Sequence, residues 1–417
     1  MRILVVDREP PLSLTQGNSL IGRHLFERLA ARHQLAIVCP VDPAAADESR
    51  RALSDVFDEV RLVPRTGGAV PALRGWLEAE LAVRAPTVAP GAARQLAGAV
   101  ASLVAAWPAD VLHVRQLPMA PFRRFAPGMP SALELVDSER LGSERAVRQI
   151  VAAGRWRAAT IRAVVRAGAA RLAEAAAVRG YDAVTAVAAA DAAAIRSVAP
   201  RGTAVELIPN GVDADVFRPV ERAEEPRTLA FVGAMSFSPN VAAARYLVEQ
   251  VLPRVTTPDV RVRLVGRSPT PEILQLAARP GVEVTGEVDD VRPELAAATL
   301  VVCAMVSGSG IKNKVLEAMA MGRPIVATPL AVEGIDLGRS ADPPIAIAAS
   351  ASGLAAAIDR LLADEGARRA MAARAREIVM KRYTWDACAA TYEALYERLG
   401  ALGTESVRVK PSARPTG

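Results

Sequence analysis

The stretch SGSGIKNKVLEAMAMGRPIVATP at residues 307–329 decides the fold prediction. It follows an apolar run at residues 300–306 that has the length of a buried strand. Small residues come next, and a helical run then ends at Gly322, a common helix stop. Residues 325–327 predict the following strand. Strand, loop, helix and strand in this order are typical of a parallel α/β sheet.

The loop that enters this helix has the features of an anion site. Backbone N–H groups and the helix dipole favour a phosphate at a helix start. Lys312 and Lys314 lie at that turn, where two cations oppose the dipole unless an anion is bound. Glu317 lies one turn further, where a carboxylate can accept hydrogen bonds from sugar hydroxyls. This layout fits a nucleotide diphosphate sugar, and the alternative is a plain loop–helix connection with solvated lysines.

Length and composition predict a globular protein of two domains. The chain has 417 residues, of which 51% are hydrophobic and 23% charged, and one ordinary core does not extend over such a length. The net charge of +6 favours anionic partners in general. Aromatic residues make up only 4%, without the aromatic–basic interleaving that base stacking needs, so we expect no nucleic-acid partner.

The cysteines and the N-terminus favour a cytoplasmic protein. Cys39, Cys303 and Cys388 follow no metal or disulfide spacing, so we expect buried free thiols and no metal site. The N-terminus leads directly into a strand without a signal-peptide pattern. The longest apolar helical run, residues 96–107, is well short of the ~20 residues that span a bilayer.

The first half of the chain predicts a doubly wound sheet. A strand at residues 3–6, a helix at 19–32 and a strand at 35–39 form a βαβ unit. Gly17 would let a ligand approach the backbone at the end of the first strand, although a plain turn glycine explains it as well. His113 and Asp137 end later strands, and we expect both to face the crevice. Those later strands are predicted at 60–63, 111–114, 132–136 and 183–187.

A long helical region at residues 141–180 carries many arginines. Trp156, Ile161, Val164 and Val165 are interleaved with them. One interpretation is a solvated helix face. The other is a surface that lies on anionic lipid at the inner face of the membrane.

The composition shifts at residues 209–219, which predict an inter-domain hinge. A second series of alternating strands and helices follows, and this alternation predicts a second doubly wound sheet. The predicted organisation is a domain at 1–208, a domain at 209–382, a closing helix at 383–402 and a disordered tail at 403–417. The second strand series is predicted at 228–233, 262–266, 282–285, 300–303, 324–327 and 345–348.

Several of these motifs resemble the GT-B fold of glycosyltransferase family 4. They are IPNGVDADVF at 208–217, FVG at 231–233 and GIKNKVLEAMAMGRPI at 310–325, with a weaker likeness in DVLHV at 110–114. The resemblance implies an α/β protein of two doubly wound, Rossmann-like domains facing across a cleft. The N-terminal domain would lie on the acceptor side, and the C-terminal domain would bind the nucleotide sugar.

A narrower resemblance is to the sugar transferases linked to exopolysaccharide and PEP-CTERM protein-sorting systems. It rests on FVGAMSFSPN at 231–240, GSGIKNKVLEAMAMGRP at 308–324 and EGID at 333–336. It implies transfer of a hexose, with retention at the anomeric carbon, to a carbohydrate, lipid-linked or small-molecule acceptor such as a cell-envelope or exopolysaccharide precursor. Closure of the domains would exclude water, and no cofactor or metal is implied.

The resemblance also assigns roles to single residues. Glu317 is expected on the ribose hydroxyls, and Ser309 stands where the family usually has another glutamate. Asp137 stands where family members often have a histidine, and with His113 and Lys314 it forms the candidate catalytic group. The implied donor-binding residues are Gly233, Arg267, Val288, Ser309, Gly310, Ile311, Lys312, Lys314 and Glu317.

Two other functions remain open from the sequence. One is a GT-B epimerase that acts on a nucleotide sugar without an acceptor, for which His113, Glu134 and Asp137 are the acid–base groups on offer in the first domain. The other is a nucleotide-binding protein that kept the fold and lost catalysis, which Ser309 suggests.

Overall fold

The computed structural model describes residues 1–13, 17–65, 71–152, 158–308, 310–339 and 341–408. The chain forms two compact units. The first contains Met1–Ile208 together with the chain from Cys388 onward, and the second contains Pro209–Ala387. Each unit is built around one sheet of parallel strands with helices between them. Both sheets follow from apolar strand runs that alternate with amphipathic helices.

The first sheet has seven strands in the order β3-β2-β1-β4-β5-β6-β7, all parallel. Its strands are β1 (Arg2–Val6), β2 (Gln34–Val41), β3 (Glu59–Pro64), β4 (Val111–Arg115), β5 (Ser131–Glu134), β6 (Ala183–Ala186) and β7 (Ala204–Leu207). Its helices are α1 (Gly17–Ala30), α2 (Ala46–Ser54), α3 (Ala72–Arg84), α4 (Gly91–Ala106), α5 (Glu139–Ala152), α6 (Ala158–Val178) and α7 (Ala189–Arg196).

The order of the first sheet reverses between β1 and β4. The apolar residues of β1, Ile3 to Val6, are fully buried, as expected for a parallel strand covered on both faces. Loops that follow β1 and β4 leave the sheet in opposite directions at such a point, and open α/β sheets bind ligands there.

The second sheet has six parallel strands in the order β10-β9-β8-β11-β12-β13. Its strands are β8 (Glu225–Val232), β9 (Arg261–Val265), β10 (Val282–Gly286), β11 (Ala298–Cys303), β12 (Ile325–Ala327) and β13 (Ala346–Ile347). Its helices are α8 (Ser238–Tyr246), α9 (Pro271–Leu276), α10 (Arg292–Ala297), α11 (Asn313–Ala320), α12 (Ala351–Ala363) and α13 (Glu365–Arg382).

The last helix, α14 (Trp385–Arg408), starts in the second unit and continues into the first. It buries Tyr392, Leu395 and Tyr396. Residues 403–408, predicted as part of a disordered tail, are helical, because no proline interrupts the chain before Pro411. The rest of that predicted tail, 409–417, lies outside the described residues. Within the described residues, no helix combines the length and the apolar content needed to cross a membrane.

Candidate functional site

Loops at the carboxyl edge of the second sheet are hydrogen-bonded to one another through their backbones. The backbone N–H of Gly233, just after β8, donates to the carbonyl of Val265 at 2.9 Å. The N–H of Gly266, just after β9, donates to the carbonyl of Gly286 at 3.0 Å. Since neighbouring parallel strands end at the same edge, these bonds gather the loops after β8, β9 and β10.

Two of these glycines leave no room for a side chain. Gly266 has a φ of +149°, and a Cβ there would lie 1.8 Å from the carbonyl oxygen of Gly233. A Cβ on Gly233 would lie 2.6 Å from Nδ2 of Asn240 and 2.7 Å from Nζ of Lys314. Position 233 therefore requires glycine, because polar side chains from α8 and α11 lie against its backbone.

Lys314 is held by two groups of the second unit. Its Nζ donates to Oδ1 of Asn240 at 2.6 Å and lies 4.4 Å from the centroid of the Phe231 ring. Asn240 in turn donates from Nδ2 to the carbonyl of Ala234 at 3.0 Å. The amide and the ring thus fix the ammonium beside Gly233 through a hydrogen bond and a cation–π contact. Asn240 was not among the predicted site residues, although the quoted motif FVGAMSFSPN ends on it.

The loop before α11 is held by its own lysine. Gly310 has a φ of +66°, which favours glycine, and its carbonyl accepts a hydrogen bond from Nζ of Lys312 at 2.5 Å. Lys312 and Ile311 are both buried. The structure therefore brings Gly310 together with Lys312, and Gly233 together with Lys314. Ser309, another member of the predicted donor-binding set, falls outside the described residues.

Two ionisable groups one turn apart on α11 have shifted acidities. Burial lowers the pKa of Lys314 to about 8, although the nearby Glu317 carboxylate acts in the opposite direction. Burial raises the pKa of Glu317 to about 7, against the pull of the Lys314 ammonium. Both groups therefore titrate near neutral pH, a property that clusters at functional sites.

The segment predicted as a hinge is built into the second unit. Asn210 is buried, and its Nδ2 donates to Oδ1 of Asn313, the first residue of α11, at 3.1 Å. A Cβ on Gly211 would lie 2.6 Å from the backbone nitrogen of Trp385. The N–H of Val212 donates to the carbonyl of Tyr383 at 2.7 Å. This segment thus links the start of α11 to the start of α14.

The remaining predicted donor residues follow the same sheet edge. Arg267 comes directly after Gly266, is half-buried, and accepts a hydrogen bond from the N–H of Met235 through its carbonyl at 2.9 Å. Val288 is half-buried in the loop after β10. Asp290, two residues further along this loop, accepts a hydrogen bond from the N–H of Arg292 at 2.9 Å.

The prediction that His113 faces an open crevice is wrong. The ring is fully buried, and its Nδ1 is 2.7 Å from the hydroxyl of Tyr396 on α14. It stacks on Tyr392 at a centroid distance of 5.5 Å. The reason is that α14 covers the end of β4, so His113 cannot touch a substrate in this structure. Asp137, by contrast, is exposed just after β5.

A buried ionic cluster occupies the point in the first sheet where the strand order reverses. Arg115, at the end of β4, binds both carboxylate oxygens of Glu134 at 2.9 Å and Oδ2 of Asp7 at 2.5 Å. Burial would raise the pKa of Glu134, but Arg115 and His113 more than offset this and lower it to about 2. Arg115 was not among the predicted site residues, because an arginine in a strand carries no motif of its own.

Gly17 is the first residue of α1, and no described atom lies within 4 Å of where its Cβ would be. Further along α1, a Cβ on Gly22 would lie 2.2 Å from Nη1 of Arg115. In the described parts of the chain, no group of three or more His, Cys, Asp or Glu side chains could hold a metal ion.

Comparison with known proteins finds a family match within the second unit. Residues 226–364 match the family described as Glycosyl transferases group 1. A phosphatidyl-myo-inositol mannosyltransferase of Mycolicibacterium smegmatis is 32% identical over 215 residues, which are 48% of this chain and 53% of that protein. The match thus spans about half the length of this curated relative.

Solved structures show the fold of the chain. It is similar to sucrose-phosphate synthase from Thermosynechococcus elongatus, with a TM-score of 0.71 and 17% identity over 96% of this chain and 100% of the other. It is also similar to Anabaena HepE in complex with UDP, with a TM-score of 0.67 and 16% identity over 95% of this chain and 100% of the other. The chain therefore has a GT-B fold, and residues 226–364 of its second unit match the Glycosyl transferases group 1 family.

Proposed function

We propose that this protein is a retaining glycosyltransferase that moves a hexose from a nucleotide diphosphate sugar to an acceptor. The observation that carries the proposal is the arrangement of Lys312, Lys314 and Glu317 at the start of α11, beside the backbone of Gly233. Cations at a helix start suit a diphosphate, and a carboxylate one turn further suits the ribose hydroxyls.

The diphosphate leaves with a growing negative charge, which the site is suited to stabilise. Lys314 is already oriented by Asn240 and Phe231, so its ammonium needs little reorganisation when the charge develops. Lys312 bonds to the Gly310 carbonyl and is available to exchange that partner for a phosphate oxygen. We assign this stabilisation to protein cations and expect transfer to persist when a metal chelator is added.

The acceptor hydroxyl must lose a proton during transfer. In a retaining mechanism of this kind the leaving phosphate oxygen can take that proton, so no strong side-chain base is required. We assign acceptor recognition to the first unit, with Asp137 as the candidate contact to the sugar because its side chain is exposed at the end of β5. Gly17 is the candidate for close acceptor approach at the start of α1.

The substrates are proposed from the names of similar proteins. The curated relative is named for phosphatidyl-myo-inositol and mannose, and Anabaena HepE has been solved with UDP-glucose. We therefore propose UDP-glucose and a mannose nucleotide as the first donors to test. Phosphatidylinositol and carbohydrate precursors of the cell envelope or of an exopolysaccharide are the first acceptors to test.

An epimerase is less well supported than a transferase. Two of the three acid–base groups on offer in the first unit, His113 and Glu134, are buried and engaged with Tyr396 and Arg115. A binding protein without turnover remains the second candidate, since Ser309 replaces a glutamate that the family usually carries.

The test is to measure nucleoside diphosphate binding by calorimetry and sugar transfer with the donor and acceptor panel. Glu317→Gln should weaken binding about tenfold, because a neutral amide accepts more weakly than a carboxylate from the ribose hydroxyls. Glu272→Gln is the matched control, since Glu272 lies on α9 in the same unit with a side chain that is 63% exposed. Equal binding by wild type and Glu317→Gln would remove Glu317 from the site. Binding without turnover on any acceptor would favour the non-catalytic alternative.

A further inference from the structure

The helix α6 is apolar on two opposite sides. One side packs into the first unit and includes Ala170, Ala173, Ala177 and Val178, which are all buried. A helix on the surface of a globular protein normally carries polar residues opposite such a face. In α6 the opposite side is apolar as well.

The outward side of α6 carries a stripe of large apolar residues. Ile161 is 64% exposed, Val164 52%, Val165 66% and Leu172 72%. Their spacings of three, four and seven residues place them on one face of the helix, opposite the buried Ala170, Ala173 and Ala177. We call these four residues the α6 stripe.

Arginines border the α6 stripe. Arg162 lies on one side of it and Arg171 on the other, and both are exposed. Residues 158–173 contain no aspartate or glutamate. The next acidic residue on α6, Glu174, is buried and accepts hydrogen bonds from the hydroxyl of Ser138 and the N–H of Arg140. The outward face of α6 is therefore apolar in its middle and basic at its edges.

We propose that the α6 stripe and its flanking arginines bind the surface of an anionic lipid bilayer. Apolar side chains in the middle of the face would enter the boundary between headgroups and acyl chains, while the arginines would contact lipid phosphates. A bilayer surface is flat and offers both an apolar layer and negative charge, so it matches both parts of this face. The inference does not depend on the proposed transferase activity.

A second copy of the chain fits this face less well. A symmetric dimer through α6 would place Arg162 and Arg171 of one copy near the same arginines of the other, without carboxylates on that face to compensate. Charge complementarity thus favours an anionic partner. The net charge of +6 acts in the same direction over longer distances.

The experiment measures co-sedimentation of the full chain with vesicles. One set contains phosphatidylcholine alone, and the other contains phosphatidylcholine and phosphatidylglycerol in equal parts. Wild type should bind the anionic set, with binding that weakens as salt rises. The double variant Val165→Gln with Leu172→Gln should lower the partition coefficient about tenfold or more, because buried apolar area is lost.

A charge variant and a control variant separate the electrostatic contribution to vesicle binding from the apolar one. Arg162→Gln with Arg171→Gln should reduce binding to anionic vesicles and flatten its salt dependence. Val88→Gln is the matched control, because Val88 is an apolar side chain of the first unit that is 69% exposed and lies between α3 and α4, and it should bind like wild type. Thermal unfolding of each variant checks that the fold is kept, as expected for exposed positions.

Three results would overturn the inference. The first is equal binding of wild type to the anionic and the phosphatidylcholine vesicles. The second is a Val165→Gln, Leu172→Gln variant that binds like wild type. The third is a wild-type dimer in sedimentation velocity that this variant abolishes while neither protein binds vesicles, which would assign the stripe to a second copy.

Discussion

Lys314 and Glu317 show a conflict between stability and binding at the scale of single residues. A carboxyl whose pKa is raised by folding binds more protons in the folded chain than in the unfolded one. Stability from Glu317 is therefore full below its usual pKa of 4.5 and is lost as pH rises toward about 7. We predict that Glu317→Gln raises the free energy of unfolding of the unliganded protein at pH 8 by about 1–2 kcal/mol.

The measurement is chemical unfolding of wild type and Glu317→Gln at pH 5 and pH 8. The gain should be seen at pH 8 and should nearly vanish at pH 5, where Glu317 is already neutral. Glu272→Gln, in the exposed position, should change little at either pH. A gain of the same size at both pH values would mean that the charge of Glu317 is not its source.

Asn240 provides a second prediction at this scale. Its Oδ1 accepts from the Lys314 ammonium, so its loss would remove a partner of the charged form and lower the pKa of Lys314 further below about 8. A diphosphate binds best while Lys314 is protonated, and affinity should fall as pH rises through that pKa. We predict that Asn240→Ala moves the alkaline loss of nucleoside diphosphate binding to lower pH, as measured by calorimetry between pH 6 and pH 9. An unchanged alkaline limb would exclude Asn240 as a positioning residue for Lys314.

At the scale of one element, α1 contains two glycines with opposite environments. Gly22 lies against the guanidinium of Arg115, and a Cβ there would also be 2.8 Å from the side chain of Pro11. Arg115 cannot move away without weakening its bonds to Asp7 and Glu134. We predict that Gly22→Ala lowers the free energy of unfolding by roughly 3 kcal/mol, from overpacking and from the disturbed buried ion pairs.

Gly17→Ala on the same helix is the control for that prediction. No described atom lies within 4 Å of the added methyl group, so the variant should unfold like wild type. If Gly17→Ala nevertheless lowers sugar transfer, close approach of an acceptor to this backbone is the explanation. Equal stability of the Gly17 and Gly22 variants would show that α1 shifts away from Arg115 without cost.

Elements whose pattern is local could be predicted from the sequence. The helix expected at 313–321 is Asn313–Ala320, and the strand expected at 325–327 is Ile325–Ala327, because Gly322 ends the helix where the apolar period changes. That Gly310, Lys312 and Lys314 lie close together at the start of this helix could be predicted for the same reason. The role of Asn240 could not be predicted in this way, since its contact with Lys314 joins residues 74 positions apart.

At the scale of the whole molecule, the chain returns to its first unit only at the end. The burial of His113 could not be predicted from the pattern of β4, because it is caused by Tyr392 and Tyr396 on α14. Tyr396 is 283 residues away from His113 in the sequence. A histidine at the end of a strand near a sheet crevice suggests catalysis, and only the three-dimensional path of α14 reveals that it is covered. The boundary at Pro209 could be placed, since turn-forming residues mark it in the local sequence.

This return of the chain predicts that damage to α14 affects one unit and spares the other. Tyr396 is fully buried and bonded to His113, so Tyr396→Ala should destabilise the first unit by about 3–5 kcal/mol. Glu397→Ala, on the exposed side of the same helix, is the matched control. Hydrogen exchange should show faster exchange across β1, β4 and β5 in Tyr396→Ala only. Nucleoside diphosphate binding, which we assign to residues of the second unit, should keep its wild-type affinity in both variants. Loss of that affinity in Tyr396→Ala would mean that the second unit depends on the first for its own site.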